Sequence, residues 1–175
     1  GKNEEDNLVI SGLPASQELS SIMGIYADTT YGDWLTLRAS YLQGDITVTA
    51  DALEPLLGAL RGNGFGNVAE ALDFTEDRGR FYGLAGEVNR GNWLAIAEYT
   101  YTEIPDSYYG DRTQYYVTGG YRFGAFMPNV TWGRRDNDAK PGIVALLPNV
   151  APLAGLRAAT AGVVQSENLD ATYWS

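Results

Sequence analysis

Cysteine and histidine are both missing from this chain. Their absence excludes disulfides, zinc sites of the Cys/His type and every histidine-dependent catalytic triad. Basic residues are scarce: 12 Lys and Arg stand against 22 Asp and Glu, a net charge of −10. Nucleic-acid binding needs clustered cations, so that class of partner is excluded. Long apolar runs are missing too, and no stretch approaches the roughly 20 residues of a membrane helix. The opening "GKNEEDNLVISG" has neither the basic start nor the apolar segment of a secretion signal. Phenylalanine occurs five times, whereas tyrosine occurs 12 times and glycine 21 times. That bias points to β-structure with many turns and half-wet aromatic positions.

Strand-like segments recur in pairs over residues 20–48, 80–104 and 113–135. Within each pair the break is short and contains glycine, at 31–33, 90–92 and 124–125, which is the hairpin signature. Between pairs the connections are longer: 49–78, 105–112 and 136–167. The first carries "ALEPLLGALRG", residues 52–62, apolar at three- and four-residue spacing and readable as a helix. This helix is expected to fold over the end of the sheet or against a neighbouring subunit. Alternating short and long connections place all tight turns at one end of an antiparallel up-and-down sheet. The chain opens in a charged, loop-like stretch and stops within "NLDATYWS", so six whole strands and the start of a seventh are expected.

Strand side chains alternate between faces. One face collects Leu35, Leu37, Leu84, Val88, Val117 and Val130, with Trp93, Ala95, Ala97, Tyr99 and Tyr101. The other collects Asp28, Arg38, Glu87, Glu98, Tyr116, Thr118 and Arg122, with Ser40, Thr100 and Gln114. Leu94 and Ile96 are the blemish on the second face. Two environments accept such strands. A soluble barrel or sandwich, such as a lipocalin-like carrier, turns the apolar face inward. A transmembrane barrel turns it to lipid and the polar face to a wet lumen. The second is favoured because the apolar face is thin for a dry core, with Ala and Gly at many positions. Aromatics also crowd the turn ends, at Tyr31, Trp34, Trp93, Tyr121, Phe123 and Phe126, as an interfacial belt requires. Trp34, the first residue of the strand-like segment 34–48, has the wrong parity for that role.

Over residues 81–136, "FYGLAGEVNRGNWLAIAEYTYTEIPDSYYGDRTQYYVTGGYRFGAFMPNVTWGRRD", the chain resembles the proteobacterial outer-membrane porins. The shared pattern is a "GNW" turn, an "EYT" strand and "YYVTGGYRFG-F-P-VT"; "GDWLTLRASYLQGDITV" and the closing "YWS" fit the same family. The resemblance implies a sixteen-stranded type of barrel, trimeric, in the outer membrane of a Gram-negative bacterium. It also implies passive diffusion of small hydrophilic solutes or ions, with no enzymatic activity and no cofactor. Because so few strands cannot close a pore of that size, the chain reads as one all-β domain, a partial transmembrane β-barrel. The constriction loop of that family has no assignable counterpart here.

The polar-face residues Asp28, Arg38, Glu87, Glu98, Tyr116, Thr118 and Arg122 are therefore candidates for lining a pore, where fixed charges steer ions. The alternative is that the charges form cross-strand pairs that stiffen the wall. A two-residue Gly91-Asn92 loop sets Arg90 opposite Trp93, Glu87 opposite Ile96 and Glu98 opposite Ala85. Paired acids also suggest a glycosidase, but no cleft-forming domain accompanies them. Glu103, Asp106 and Asp111 could suggest calcium, yet the EF-hand spacing is absent and no metal is expected. "RGNGFGN", residues 61–67, lacks the GxxxxGK[ST] pattern of a phosphate loop.

Overall fold

The computed structural model describes residues 3–10, 13–105, 107–138, 140–166 and 170–175. Eight antiparallel strands form one sheet in strict sequence order, β1 to β8, and the two edge strands do not pair with each other. They are β1 (Asn3–Ile10), β2 (Leu13–Tyr31), β3 (Leu35–Thr49), β4 (Phe74–Arg90), β5 (Trp93–Glu103), β6 (Asp111–Tyr121), β7 (Asn129–Asp138) and β8 (Ala171–Trp174). The architecture is all-β, antiparallel and up-and-down, as expected, and the sheet is not closed. The charged opening is strand rather than loop, because β1 pairs with β2 from Asn3↔Leu19 to Ile10↔Leu13. β4 also begins at Phe74, well before residue 80, so the first long connection is shorter than 49–78.

The tight turns carry the glycines. Gly32, Gly91 and Gly124 have φ of 60°, 60° and 62°, a region open to glycine at little cost. Gly91-Asn92 closes β4 onto β5 with a positive-φ glycine at the first central position, as in a II′ hairpin turn. The expected pairs follow: Arg90↔Trp93, Glu87↔Ile96 and Ala85↔Glu98. Besides the register shift between Glu5 and Leu8 in the β1–β2 pair, two bulges break the ladders on either side of β3. Between Ser20↔Asp45 and Met23↔Gln43, two β2 residues oppose one β3 residue. Between Ile46↔Asp77 and Val48↔Phe74, β4 carries the extra residue. Each bulge holds a non-glycine residue at positive φ, Ser21 at 51° and Glu76 at 56°. Because both bulges insert into the neighbours of β3, its own alternation continues unbroken to Val48.

The long connections sit at the end opposite the turns, as the alternation requires, and they are folded. α1 (Glu54–Gly62) starts with Glu54 and Pro55 and carries Arg61 in its last turn, charges that suit the helix dipole. The Asn63 side-chain amide donates to the Ala59 carbonyl at 2.8 Å and closes its last turn. α2 (Gly66–Leu72) follows after a left-handed Gly64, and Arg61 ties the two by an ion pair to Asp73 at 2.7 Å. The second long connection holds α3 (Gly142–Ala145) and α4 (Ala154–Ser166). Leu57, Leu60, Val68, Leu72, Leu147 and Val164 come together with Phe74, Ile104 and Tyr108 in one buried cluster. Apart from Ala15, every buried apolar side chain among the described residues belongs to this cap. The middle of the sheet has no core of its own.

Candidate functional site on the polar face

The register lets both faces be read in rows across the strands. On the polar face, one row runs Asp28, Arg38, Ala85, Glu98, Tyr116, Gly133, Tyr173. The row toward the turns is Thr30, Thr36, Glu87, Ile96, Thr118 and Thr131. The row toward the cap is Tyr26, Ser40, Gly83, Thr100, Gln114 and Arg135. Six of the seven residues expected to share a polar wall are thus brought together. Local bonds hold them: Tyr116 donates to Glu98 Oε2 at 3.0 Å, and the Thr118 and Thr131 hydroxyls lie 2.8 Å apart. A small cleft of about 150 Å³ opens between Arg38, Ser40, Glu98 and Thr100, floored by Gly83 and Ala85.

The seventh, Arg122, is a correction. β6 ends at Tyr121, and Arg122 stands in the turn, its backbone N–H donating to the Asn92 carbonyl at 2.8 Å. It is a rim residue at the turn end rather than a mid-strand charge. Two polar-face arginines escape the sequence reading, Arg112 and Arg135, which pair with Asn137 and Gln114. The alternation that marks Gln114 reaches both, but the strand limits read from the sequence stop one residue short of Arg112.

On the opposite face the rows are Tyr31, Leu35, Val88, Ala95, Gly119, Val130 and, next to them, Thr29, Leu37, Gly86, Ala97, Val117, Trp132, Trp174. None of the described residues covers them: Ile25 is 70% exposed, Val130 61%, Leu84 58% and Val117 49%. A hollow of about 710 Å³ lies mainly here, where Ala39, Gly86 and Ala97 are small beside Leu37, Leu84 and Val117. Its lining is mainly apolar and also takes in Asp28, Arg38, Glu98 and Tyr116.

Aromatics bound this face at the turn end. Trp93 and Tyr121 rings lie 4.7 Å apart, Tyr121 and Phe123 also 4.7 Å, and Phe123 bridges to Phe126. Trp34 is in the turn itself, so strand parity does not govern it. Its ring meets Tyr31 edge-on at 6.0 Å, and the Arg90 guanidinium sits 5.2 Å above it. This removes the parity objection. A second row, Tyr41, Tyr82 and Tyr101, closes the face at the cap end. Just beyond it the same face turns ionic, with Arg80–Glu103 at 3.0 Å and Arg78–Asp45 at 3.1 Å. There the Ser21 hydroxyl and Arg78 hold the Asp45 carboxyl below its usual range. From Tyr82 to Arg90 is about 26 Å along the strand, or about 20 Å of height at the tilt of a barrel strand. Arg134 interrupts the apolar face at β7, paired to Asp136 at 2.7 Å.

The acidic connection does not gather into a metal site. Glu103 is held by Arg80, and Asp111 accepts a bond from Tyr101 at 2.8 Å with Lys140 at 3.8 Å. Asp106 lies outside the described residues. Among the described residues no group of three acids is placed to hold a metal.

The helices cover one face only. Ile46, Val48, Phe74 and Ile104 continue the polar face beyond Leu42 and Phe81, and it is they that pack on the cap. No helix is long and apolar enough to cross a membrane among the described residues. No protein-family model matches this chain, and comparison with curated proteins and with solved structures gives no match either.

Proposed function

We propose that this chain is part of an outer-membrane porin, a water-filled β-barrel for passive diffusion of small hydrophilic solutes or ions. One observation carries the reading. The sheet has an apolar face about 20 Å high, bounded by aromatic rows at both ends, and the cap helices cover the other face. In water, a continuous uncovered face of this kind is unstable; hydrocarbon is the solvent that suits it. The aromatic rows are then interfacial belts, and Asp28, Arg38, Glu87, Glu98, Tyr116 and Thr118 line the wet lumen, with Arg122 at its rim. The helical cap sits over the lumen at its mouth. A strand order without closure is completed by further strands of the same barrel. Trimer formation follows only from the resemblance to the family. The reading includes no enzymatic step.

The four tryptophans supply the test. Trp34, Trp93, Trp132 and Trp174 all stand on the apolar side. Reconstitution into vesicles of brominated phosphatidylcholine should quench their fluorescence strongly, and the protein should need detergent or lipid to remain dispersed. A chain that stays monomeric in buffer, with tryptophans shielded from brominated lipid, is instead a soluble carrier with its apolar face inward.

A further inference from the structure

Beside the cap, on the polar face, lies a cavity of about 230 Å³ that the channel reading does not use. Ile46, Val48, Phe74 and Ile104 form its apolar walls, and Thr102 with Gln17 supplies hydroxyl and amide groups at the edge. The remaining wall is Arg112, half-buried, with its guanidinium 4.9 Å from the centre of the Tyr109 ring.

Like Arg157, which donates to the Val144 and Leu147 carbonyls, this arginine is half-buried without a carboxylate partner. Arg61, Arg78, Arg80 and Arg134 each lie against a carboxylate. Arg112 has only neutral partners among the described residues: Nε donates to Asn137 Oδ1 at 3.2 Å, and Nη2 donates to the Tyr109 hydroxyl. In a chain with 22 acids and 12 bases, a half-buried cation with no acid beside it is a charge left available. Two of its five N–H donors are engaged, so donors on both terminal nitrogens remain, in the fork geometry that receives a carboxylate in bidentate fashion.

We infer that this cavity binds a small amphipathic monocarboxylate, with the carboxylate on the Arg112 guanidinium and an apolar body between Ile46, Val48, Phe74 and Ile104. A single guanidinium suits one negative charge better than a phosphate, which would call for a second cation. The apolar walls suit a ring or short hydrocarbon chain rather than a sugar. If the channel reading holds, the site stands at the mouth of the lumen on the wetted face, where a solute would first dock. The binding itself does not depend on that reading.

The test uses the folded full chain in detergent micelles, with benzoate as probe and benzyl alcohol as its uncharged counterpart. Isothermal titration should give one benzoate per chain, with benzyl alcohol about tenfold or more weaker, since a charge-assisted bond is lost. Transferred nuclear Overhauser contacts should connect the benzoate ring to isoleucine methyls, and Arg112→Gln should abolish the preference for the acid. Because Arg112→Gln could loosen the Tyr109 connection, Thr102→Phe provides a second variant, which enlarges a lining side chain of the cavity and leaves Arg112 in place; it too should lose benzoate. Equal affinity for the two probes, no binding of either, or undiminished benzoate binding by Thr102→Phe would each overturn the proposal. Failure here with lipid quenching intact would leave the channel reading standing.

Discussion

Glu98 and Tyr116 stand directly opposite each other on β5 and β6, and the Tyr116 hydroxyl donates to Glu98 Oε2 at 3.0 Å. The bond fixes a carboxylate near the middle of the polar face without neutralising it. Glu98→Gln keeps an oxygen acceptor for the hydroxyl, so the sheet should fold as before. In the channel reading it removes one fixed negative charge, and reversal potentials in a salt gradient should shift toward anions. An unchanged reversal potential would place Glu98 away from the ion path.

Arg38 and Val117 test the two faces against each other. Val117→Lys places a charge in hydrocarbon and should cost about 2–4 kcal/mol near the midplane, read from denaturant titration of folding into vesicles in the complete barrel. Arg38→Ser should fold almost normally, because water reaches its site, while the ratio of cation to anion conductance rises. Normal folding of Val117→Lys together with unchanged selectivity in Arg38→Ser would mean the faces are misassigned.

The two bulges invite stabilisation. Ser21 and Glu76 sit at φ of 51° and 56°, where a side chain crowds its own backbone by about 1–2 kcal/mol and glycine does not. Allowing for the entropy glycine loses on folding, Glu76→Gly should raise stability by about 0.5–1 kcal/mol, and Ser21→Gly should gain less because it also removes the hydroxyl that hydrogen-bonds Asp45. Gly91→Ala, forced into the same region in the β4–β5 turn, should lower it. Equilibrium unfolding of the three variants checks the sign.

The cap should unfold separately from the sheet. Leu60 is fully buried within α1 against the cap core, and truncation of a buried leucine to alanine costs about 2–5 kcal/mol. In Leu60→Ala, amides of α1, α2 and α4 should exchange faster, while β4–β6 amides keep their protection. Equal loss in both would show a single cooperative unit.

Several features are legible in the amino-acid sequence alone because their physics is local. Side-chain alternation has a period of two, so Leu35, Leu37, Val117 and Val130 separate from Arg38, Glu87 and Glu98 on counting alone. A two-residue glycine turn leaves one register, so Glu98 must face Ala85. Alternating connection lengths place the long segments opposite the turns. Other features depend on partners far away in the chain. Trp34 escapes strand parity because its turn lets the ring swing onto Tyr31. Arg122 leaves the sheet because β6 stops pairing at Tyr121, while β1 is a strand only because β2 runs on to meet it. The bulges at Ser21 and Glu76 carry no glycine to announce them. Above all, Ile46, Val48, Phe74 and Ile104 read in sequence as ordinary strand positions. Tertiary packing makes them the seat of the helices, decides which face the helices cover, and leaves Arg112 beside a cavity, since a hydrophobic patch in sequence does not say which distant segment will bury it.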